Sequence, residues 1–291
     1  MAEVSEITGL FRLPITITVQ PWFRDHCFAG KVILPAVETL ALLAQEVKRF
    51  RPDVDVSRMY AAGFAKFLEI GPDEKELEVI VEIHQQGSDF LTVKLITKIQ
   101  RKAISRVIEH GRVTFSPPQS DLSSQANPTP FALTKSAFKV SAEKIYRELV
   151  PFGKAYQNII GDMYVSEQGA WAKLMAPDLP LSGRDGLSGS PFPLDAAFHA
   201  ACVWGQRYTG FIPFPVGFSS RTISRFTEPA TAYETRVIPL EVKADEITFD
   251  LWIHNSKGVL FETVCGIKMR DVSGGRLKPP AWIKIGTEVA L

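Results

Sequence analysis

Two short stretches of the sequence carry side chains suited to acid–base chemistry. His26 precedes an apolar segment, and Asp195 stands between Leu194 and Ala196 at the start of another. A neutral imidazole accepts a proton near pH 7. A carboxylic acid donates one at that pH only where its neutral form is favoured, which burial among apolar groups achieves. A helix N-terminus at Asp195 would favour the carboxylate by less than ~1 kcal/mol, so desolvation dominates if that helix end is covered.

The spacing around both residues resembles the motifs of one enzyme family. His26, Gly30 and Pro35 form an HxxxGxxxxP pattern, and Asp195 with His199 forms DxxxH. The segments FGKAYQ (152–157) and FPVGFSS (214–220) resemble two further motifs in the same order. Together they resemble polyketide synthase dehydratase domains and their relatives in polyunsaturated fatty acid synthases, over nearly the whole chain, here as a free-standing protein.

The resemblance implies an α+β double hotdog, in which two curled antiparallel sheets each wrap a long apolar helix. It implies loss of water from a 3-hydroxyacyl thioester carried on an acyl carrier protein, giving the 2-enoyl thioester. His26 and Asp195 would be the catalytic pair. The residues implied to support the pair or bind substrate are Gly30, Pro35, His199, Tyr156 and Gln157.

The same resemblance implies no cofactor in the protein itself, because the phosphopantetheine arm of the carrier holds the substrate. It also implies contacts with synthase modules and a homodimer. A metal site formed by His26, Asp195 and His199 is disfavoured, since no HxxxH or Cys–His cluster accompanies them. For the oxygen of the thioester, backbone N–H groups near Gly30 or at a helix N-terminus are the expected donors.

Departures from the family pattern leave two other functions open. Phe152 and Lys154 stand where the family has tyrosine and proline, and Ala36 stands where glycine is frequent. One alternative is enoyl isomerisation or a product-template-like cyclisation on the same pair. The other is a non-catalytic hotdog protein that binds or organises synthase partners.

Two apolar helices are predicted to position the pair. Pro35 fits the first position of a helix whose apolar residues recur to Val47, and Pro193 opens an alanine-rich helix that carries Asp195. Leu40 and Trp204, one from each helix, are expected to line an apolar tunnel to His26. A short helix with Ser141 as its cap is expected near 141–149.

Strand-like segments follow both helices. They lie at 59–70, 77–83, 90–99 and 103–115, and again at 213–226, 233–243, 245–254 and 259–271. We therefore predict an N-terminal hotdog at 1–116 and a C-terminal hotdog at 131–291, joined by a Pro- and Ser-rich linker at 117–130. The catalytic site would take one residue from each half.

Composition narrows the class of protein. The 291 residues are 45% hydrophobic and 22% charged, with a net charge of +1. Nothing in this balance predicts a nucleic-acid partner or an anionic membrane surface. The acidic N-terminus and the lack of an apolar run near 18 residues predict a soluble, cytoplasmic protein. Three widely spaced cysteines predict no disulfide framework.

Overall fold

The computed structural model describes residues 9–86, 90–101, 104–115, 136–181, 186–285 and 289–290. The predicted linker at 117–130 lies outside these ranges. The strands are β1 (Gly9–Thr18), β2 (Cys27–Phe28), β3 (Lys31–Ile33), β4 (Arg58–Gly63), β5 (Glu69–Ile70), β6 (Glu76–Gln86), β7 (Phe90–Arg101), β8 (Ile104–Phe115), β9 (Ser136–Ser141), β10 (Ile159–Ser166), β11 (Gly169–Met175), β12 (Phe214–Ile223), β13 (Ala232–Val242), β14 (Glu246–His254), β15 (Leu260–Arg270) and β16 (Val289–Ala290). The α-helices are α1 (Ala36–Phe50), α2 (Ala142–Lys144), α3 (Phe192–Tyr208) and α4 (Ala281–Ile285).

The two halves share one antiparallel sheet. Thirteen strands run in the order β1-β6-β7-β8-β4-β12-β15-β14-β13-β11-β10-β9-β16, and β2, β3 and β5 form a separate small sheet. Strand β4 of the first half pairs with β12 of the second, with Gly63 opposite Gly217. The two curled sheets expected from the sequence are therefore joined edge to edge, and this seam fixes the halves relative to each other.

The two long helices are the centre of the core. Every residue of α3 from Phe192 to Gln206 is buried, and Leu40, Leu43, Ala44 and Val47 of α1 have no exposed surface. The small alanine side chains of α3 let β10, β11, β13 and β14 pack closely around it. Helix α1 packs against β6, β7 and β8 in the same way, and the two helices contact each other.

Several element boundaries differ from those predicted. Pro35 is the N-cap of α1 rather than its first residue, and Pro193 is the second residue of α3. The predicted strand 59–70 is interrupted between β4 and β5, where Phe64 N–H bonds to the Val216 carbonyl and Leu68 accepts from the amide of Leu34. The expected helix at 141–149 is α2 followed by a π-helical turn, Ile145–Leu149, with Ser141 as the predicted cap.

We predict that the seam between the halves does not tolerate a side chain at Gly217. This residue has a φ of +157°, and a Cβ atom there would lie 2.3 Å from the carbonyl oxygen of Ala62. Gly217→Ala should therefore lower the free energy of unfolding by about 1–3 kcal/mol, measured by chemical denaturation. Gly210→Ala is the matched control, because nothing lies within 4 Å of its Cβ position. Equal effects of the two substitutions would contradict this account of the seam.

Candidate active site

A narrow cavity of about 100 Å³ lies between α1 and α3. His26, Asp195 and His199 all line it, so the structure brings together the acid–base residues from both halves of the chain. Phenylalanine dominates the rest of the wall: Phe28, Phe64, Phe67, Phe152, Phe198 and Phe214. The site is therefore a mostly apolar space in which a few polar groups converge.

His26 follows a 3-10 turn, Pro21–Asp25, and faces the cavity. Its Nδ1 atom lies 3.0 Å from the carbonyl oxygen of Ile33. A carbonyl oxygen only accepts hydrogen bonds, so Nδ1 carries the ring hydrogen and Nε2 keeps its lone pair. Burial lowers the pKa of His26 below its ordinary value, and the nearby Asp195 opposes this shift. The imidazole is therefore neutral at pH 7 and able to accept a proton.

Phe152, from the second half of the chain, separates the two histidines. Its ring stacks on His26 at a centroid distance of 4.3 Å and contacts His199 at 5.1 Å. The two imidazole rings are thus no further apart than the sum of these distances. Tyr156 packs edge-on against His26 at 5.1 Å, behind the cavity wall. Its hydroxyl is buried without a hydrogen-bond partner among the described residues.

Asp195 and His199 face each other across one turn of α3. Asp195 Oδ2 lies 3.0 Å from His199 Nε2, and both side chains are almost fully buried. The two atoms are close but poorly aligned for a hydrogen bond, and no other described group bonds to either. Asp195 Oδ2 and His199 Nε2 are therefore in contact, and both atoms remain able to form a hydrogen bond with a group in the cavity.

Asp25 connects the two halves directly beside His26, a role that no sequence motif indicated. Its backbone carbonyl accepts from Gly153 N–H at 2.7 Å, and its Oδ2 atom accepts from Ala155 N–H at 2.8 Å. A side chain at position 153 would overlap the Asp25 carboxyl group. The glycine of the 152–157 motif is therefore needed for close approach to the His26 segment.

Two other residues of the predicted site, Gly30 and Gln157, lie outside the cavity lining. Gly30 lies in the exposed turn between β2 and β3 with a φ of +78° and does not line the cavity. Gln157 is turned outward and donates to the Phe152 carbonyl at 2.8 Å. The prediction that Leu40 and Trp204 line the tunnel is wrong. Both are packed in the core, where the Trp204 indole N–H bonds to Ser166.

Ala36, Thr39 and Cys202 provide the helix surfaces that do line the cavity. Cys202 lies on the same face of α3 as Asp195 and His199, whereas Trp204 packs against Phe249 of β14. Among the described residues, no group of three or more His, Cys, Asp or Glu is arranged to hold a metal ion. None of the helices in those ranges has the length and apolar composition that a membrane crossing requires.

The fold and the site define a double hotdog with a His/Asp pair between its halves. A sequence model described as "Polyketide synthase dehydratase N-terminal domain" matches residues 124–279, more than half of the chain. The chain therefore belongs to the polyketide synthase dehydratase family, whose members are hydro-lyases, as its motifs predicted. The chain is also 25% identical over 283 residues to "Naringenin synthase" of Pestalotiopsis fici, covering 89% of this chain and 10% of that protein.

Solved structures confirm the double-hotdog fold. An inactive mutant of the CurJ dehydratase has a TM-score of 0.70 at 14% identity and covers 93% of each chain. The dehydratase domain of a mycocerosic acid synthase-like polyketide synthase has a TM-score of 0.70 at 14% identity, covering 91% of this chain and 94% of its own. A bifunctional dehydratase-cyclase domain from ambruticin biosynthesis reaches 0.64 at 17% identity, with 90% and 91% covered.

We predict that Asp25 holds the second half against His26. Asp25→Ala leaves the Ala155 amide without its acceptor and should lower the free energy of unfolding by about 1–3 kcal/mol. Asp25→Asn keeps an oxygen acceptor and should cost less than about 1 kcal/mol. Denaturant titration measures both. The partly exposed Asp162 pairs with Lys139 at 2.8 Å, so Asp162→Ala is the control with a small expected effect. An Asp25→Ala variant as stable as this control would disprove the role.

Proposed function

We propose that the cavity removes water from a 3-hydroxyacyl thioester, with His26 as the base and Asp195 as the acid. The observation that carries this proposal is the shared cavity, where a neutral imidazole from one half faces a buried carboxyl group from the other. The segment that this chain matches makes up only 10% of the naringenin synthase. The proposal therefore concerns the reaction of this unit alone.

In the proposed reaction, His26 Nε2 takes a proton from the α-carbon of the thioester. The electron pair of that C–H bond forms the Cα=Cβ double bond, and the Cβ–O bond breaks. Asp195 gives its proton to the departing hydroxyl, which leaves as water. The Ile33 carbonyl fixes the His26 tautomer with Nε2 unprotonated, as this step requires.

Asp195 is 5% exposed and is surrounded by apolar residues of α3. The first turn of α1 begins at Ala36 on the cavity wall, and the N–H groups of a first helical turn have no acceptors within the helix. These amides are the proposed donors to the thioester oxygen. Of the two groups of donors expected from the sequence, we thus favour the helix N-terminus, since Gly30 does not line the cavity.

We further propose that a carrier protein brings the substrate along a groove beside the cavity. This groove, of about 620 Å³, lies over the β4–β12 seam and contains Arg112, Lys268 and Arg270. Phe64 lines both the groove and the cavity, so the two are adjacent. Arg270 is paired with Glu246 at 2.6 Å, whereas Lys268 has no ion pair among the described residues. Such a surface suits the phosphate of a phosphopantetheine arm.

The first test replaces the pair and follows two reactions on a synthetic 3-hydroxyacyl thioester. His26→Ala should remove water loss and α-proton exchange with D₂O, by about 10²–10⁴-fold. Asp195→Asn should remove water loss to a similar extent, while slow exchange survives because the base remains. Mass spectrometry measures water loss and deuterium uptake in the same sample. His84→Ala, at an exposed position on β6, is the control with full activity.

Three outcomes would change the proposal. A folded Asp195→Asn variant that dehydrates at the wild-type rate would remove the acid from the scheme. A wild-type protein that moves the double bond of an enoyl thioester but does not dehydrate would favour the isomerase alternative. Inertness toward both substrates would favour a non-catalytic binding protein.

The second test concerns the groove. Lys268→Glu should raise KM about tenfold for a carrier-bound substrate and leave kcat unchanged. The introduced carboxylate would repel the phosphate of the phosphopantetheine arm without altering the cavity. The same variant should process an N-acetylcysteamine thioester normally, since that substrate has no phosphate. Lys257→Glu, in the β14–β15 turn at the other end of the strand, is the control. An equal rise in KM for both substrates, or none for either, would exclude the groove as the carrier's approach.

A further inference from the structure

One face of α3 beyond Asp195 makes a set of polar contacts that the proposed reaction does not use. His199 and Gln206 both face the turn Ile145–Leu149, and both are buried. Gln206 Nε2 donates to the Leu149 carbonyl at 3.0 Å. His199 Nδ1 lies 3.4 Å from the hydroxyl of Tyr146. This turn is therefore attached to α3 on both sides of the cavity-lining residue Cys202.

The turn has an unusual geometry that places Tyr146. Residues Ile145–Leu149 form a π-helical turn, in which Val150 N–H bonds to the Ile145 carbonyl at 2.9 Å. A π-turn inserts one extra residue per turn and displaces the side chains around it, and such turns are frequent at functional sites. Gln206 satisfies the Leu149 carbonyl, which stabilises this geometry. Tyr146 is thereby held edge-on against His199 at 5.8 Å between ring centroids.

The surroundings of the Tyr146 hydroxyl decide which atom donates in its contact with His199. Its oxygen accepts the Ile159 amide hydrogen at 2.7 Å. Burial raises the pKa of Tyr146, so the hydroxyl keeps its hydrogen. Among the described residues, His199 Nδ1 is the acceptor within hydrogen-bond distance of this hydroxyl, so the hydrogen lies toward it. Nδ1 is then unprotonated, and Nε2 carries the ring hydrogen.

The tautomer matters because Nε2 is the atom that faces Asp195. With Nε2–H, the ring hydrogen lies beside Oδ2, which is 3.0 Å from Nε2, so a second hydrogen on Oδ2 is disfavoured and the acid proton of Asp195 belongs on the other oxygen. With the opposite tautomer, the Nε2 lone pair lies beside Oδ2 and competes with the substrate for the acid proton. We propose that Tyr146 is a positioning residue, which fixes the tautomer of His199 and thereby keeps the proton of Asp195 available for the leaving hydroxyl.

This inference rests on the proposed function and predicts a specific pattern of kinetics. Tyr146→Phe should lower kcat for dehydration about tenfold without changing KM, because the hydroxyl never touches the substrate. His199→Gln should have a mild effect, since a glutamine amide presents an N–H donor to Asp195 without a tautomer to choose. The double variant Tyr146→Phe/His199→Gln should therefore match the single His199→Gln variant, and the second substitution rescues the first.

Tyr233→Phe is the matched control. Tyr233 is also buried, and its hydroxyl also accepts a backbone amide hydrogen, from Glu228 at 2.8 Å, but its ring packs against Phe261 rather than His199. It reports the general cost of removing a buried tyrosine hydroxyl that accepts an amide hydrogen. If Tyr146→Phe lowers kcat as much in the His199→Gln background as in the wild type, or no more than Tyr233→Phe does, the inference is overturned.

A second measurement needs no activity and so separates this inference from the proposed function. In protein labelled with ¹⁵N-histidine, the imidazole nitrogen shifts distinguish the two neutral tautomers, and the spectrum of His199→Gln identifies the His199 signals. We expect protonated Nε2 in the wild type and a loss of that preference in Tyr146→Phe. A wild-type spectrum with protonated Nδ1 would overturn the inference, whether or not the protein dehydrates any substrate.

Discussion

The packing of His26 against Phe152 is the contact on which the site depends. It joins a residue of the first half to a residue of the second at 4.3 Å, and the backbone bonds of Asp25 to the 153–155 segment hold it in place. Because Phe152 also touches His199, the same ring sets the distance between the base and the Asp195 pair. The phenylalanine replaces the tyrosine of the family motif and supplies the packing without a hydroxyl.

Much of the architecture was predictable from the sequence, because it follows from patterns that repeat along the chain. Local periodicity predicts the two helices that begin near a proline and the strands that follow them. Residue spacing identifies the His and Asp motifs. The continuous sheet was not predictable, since the pairing of Gly63 with Gly217 joins residues far apart in sequence. The bonds from Asp25 to the second half have the same non-local origin. Assigning Leu40 and Trp204 to the tunnel failed because periodicity identifies an apolar helix but not which of its faces the sheet covers.

Each of the two acid–base side chains in the site has a different neighbouring group. His26 is held by a carbonyl oxygen, which leaves a basic nitrogen toward the cavity, and burial keeps it neutral. Asp195 lies beside His199, in a cavity lined mostly by phenylalanine rings and aliphatic groups. The π-helical turn and Gln206 support this arrangement from outside the cavity. In the proposed reaction, base and acid thus acquire opposite tasks from their surroundings as well as from their residue types.

The central claim is that His26 and Asp195, from different halves, act on one substrate molecule. The most direct measurement is a crystal structure of the Asp195→Asn variant with an intact 3-hydroxyacyl thioester. The account predicts the β-hydroxyl within about 3.2 Å of the side chain at position 195. It also predicts the α-carbon facing His26 Nε2 at about 3–3.5 Å. A bound substrate whose reacting carbons contact only one of the two positions would contradict it.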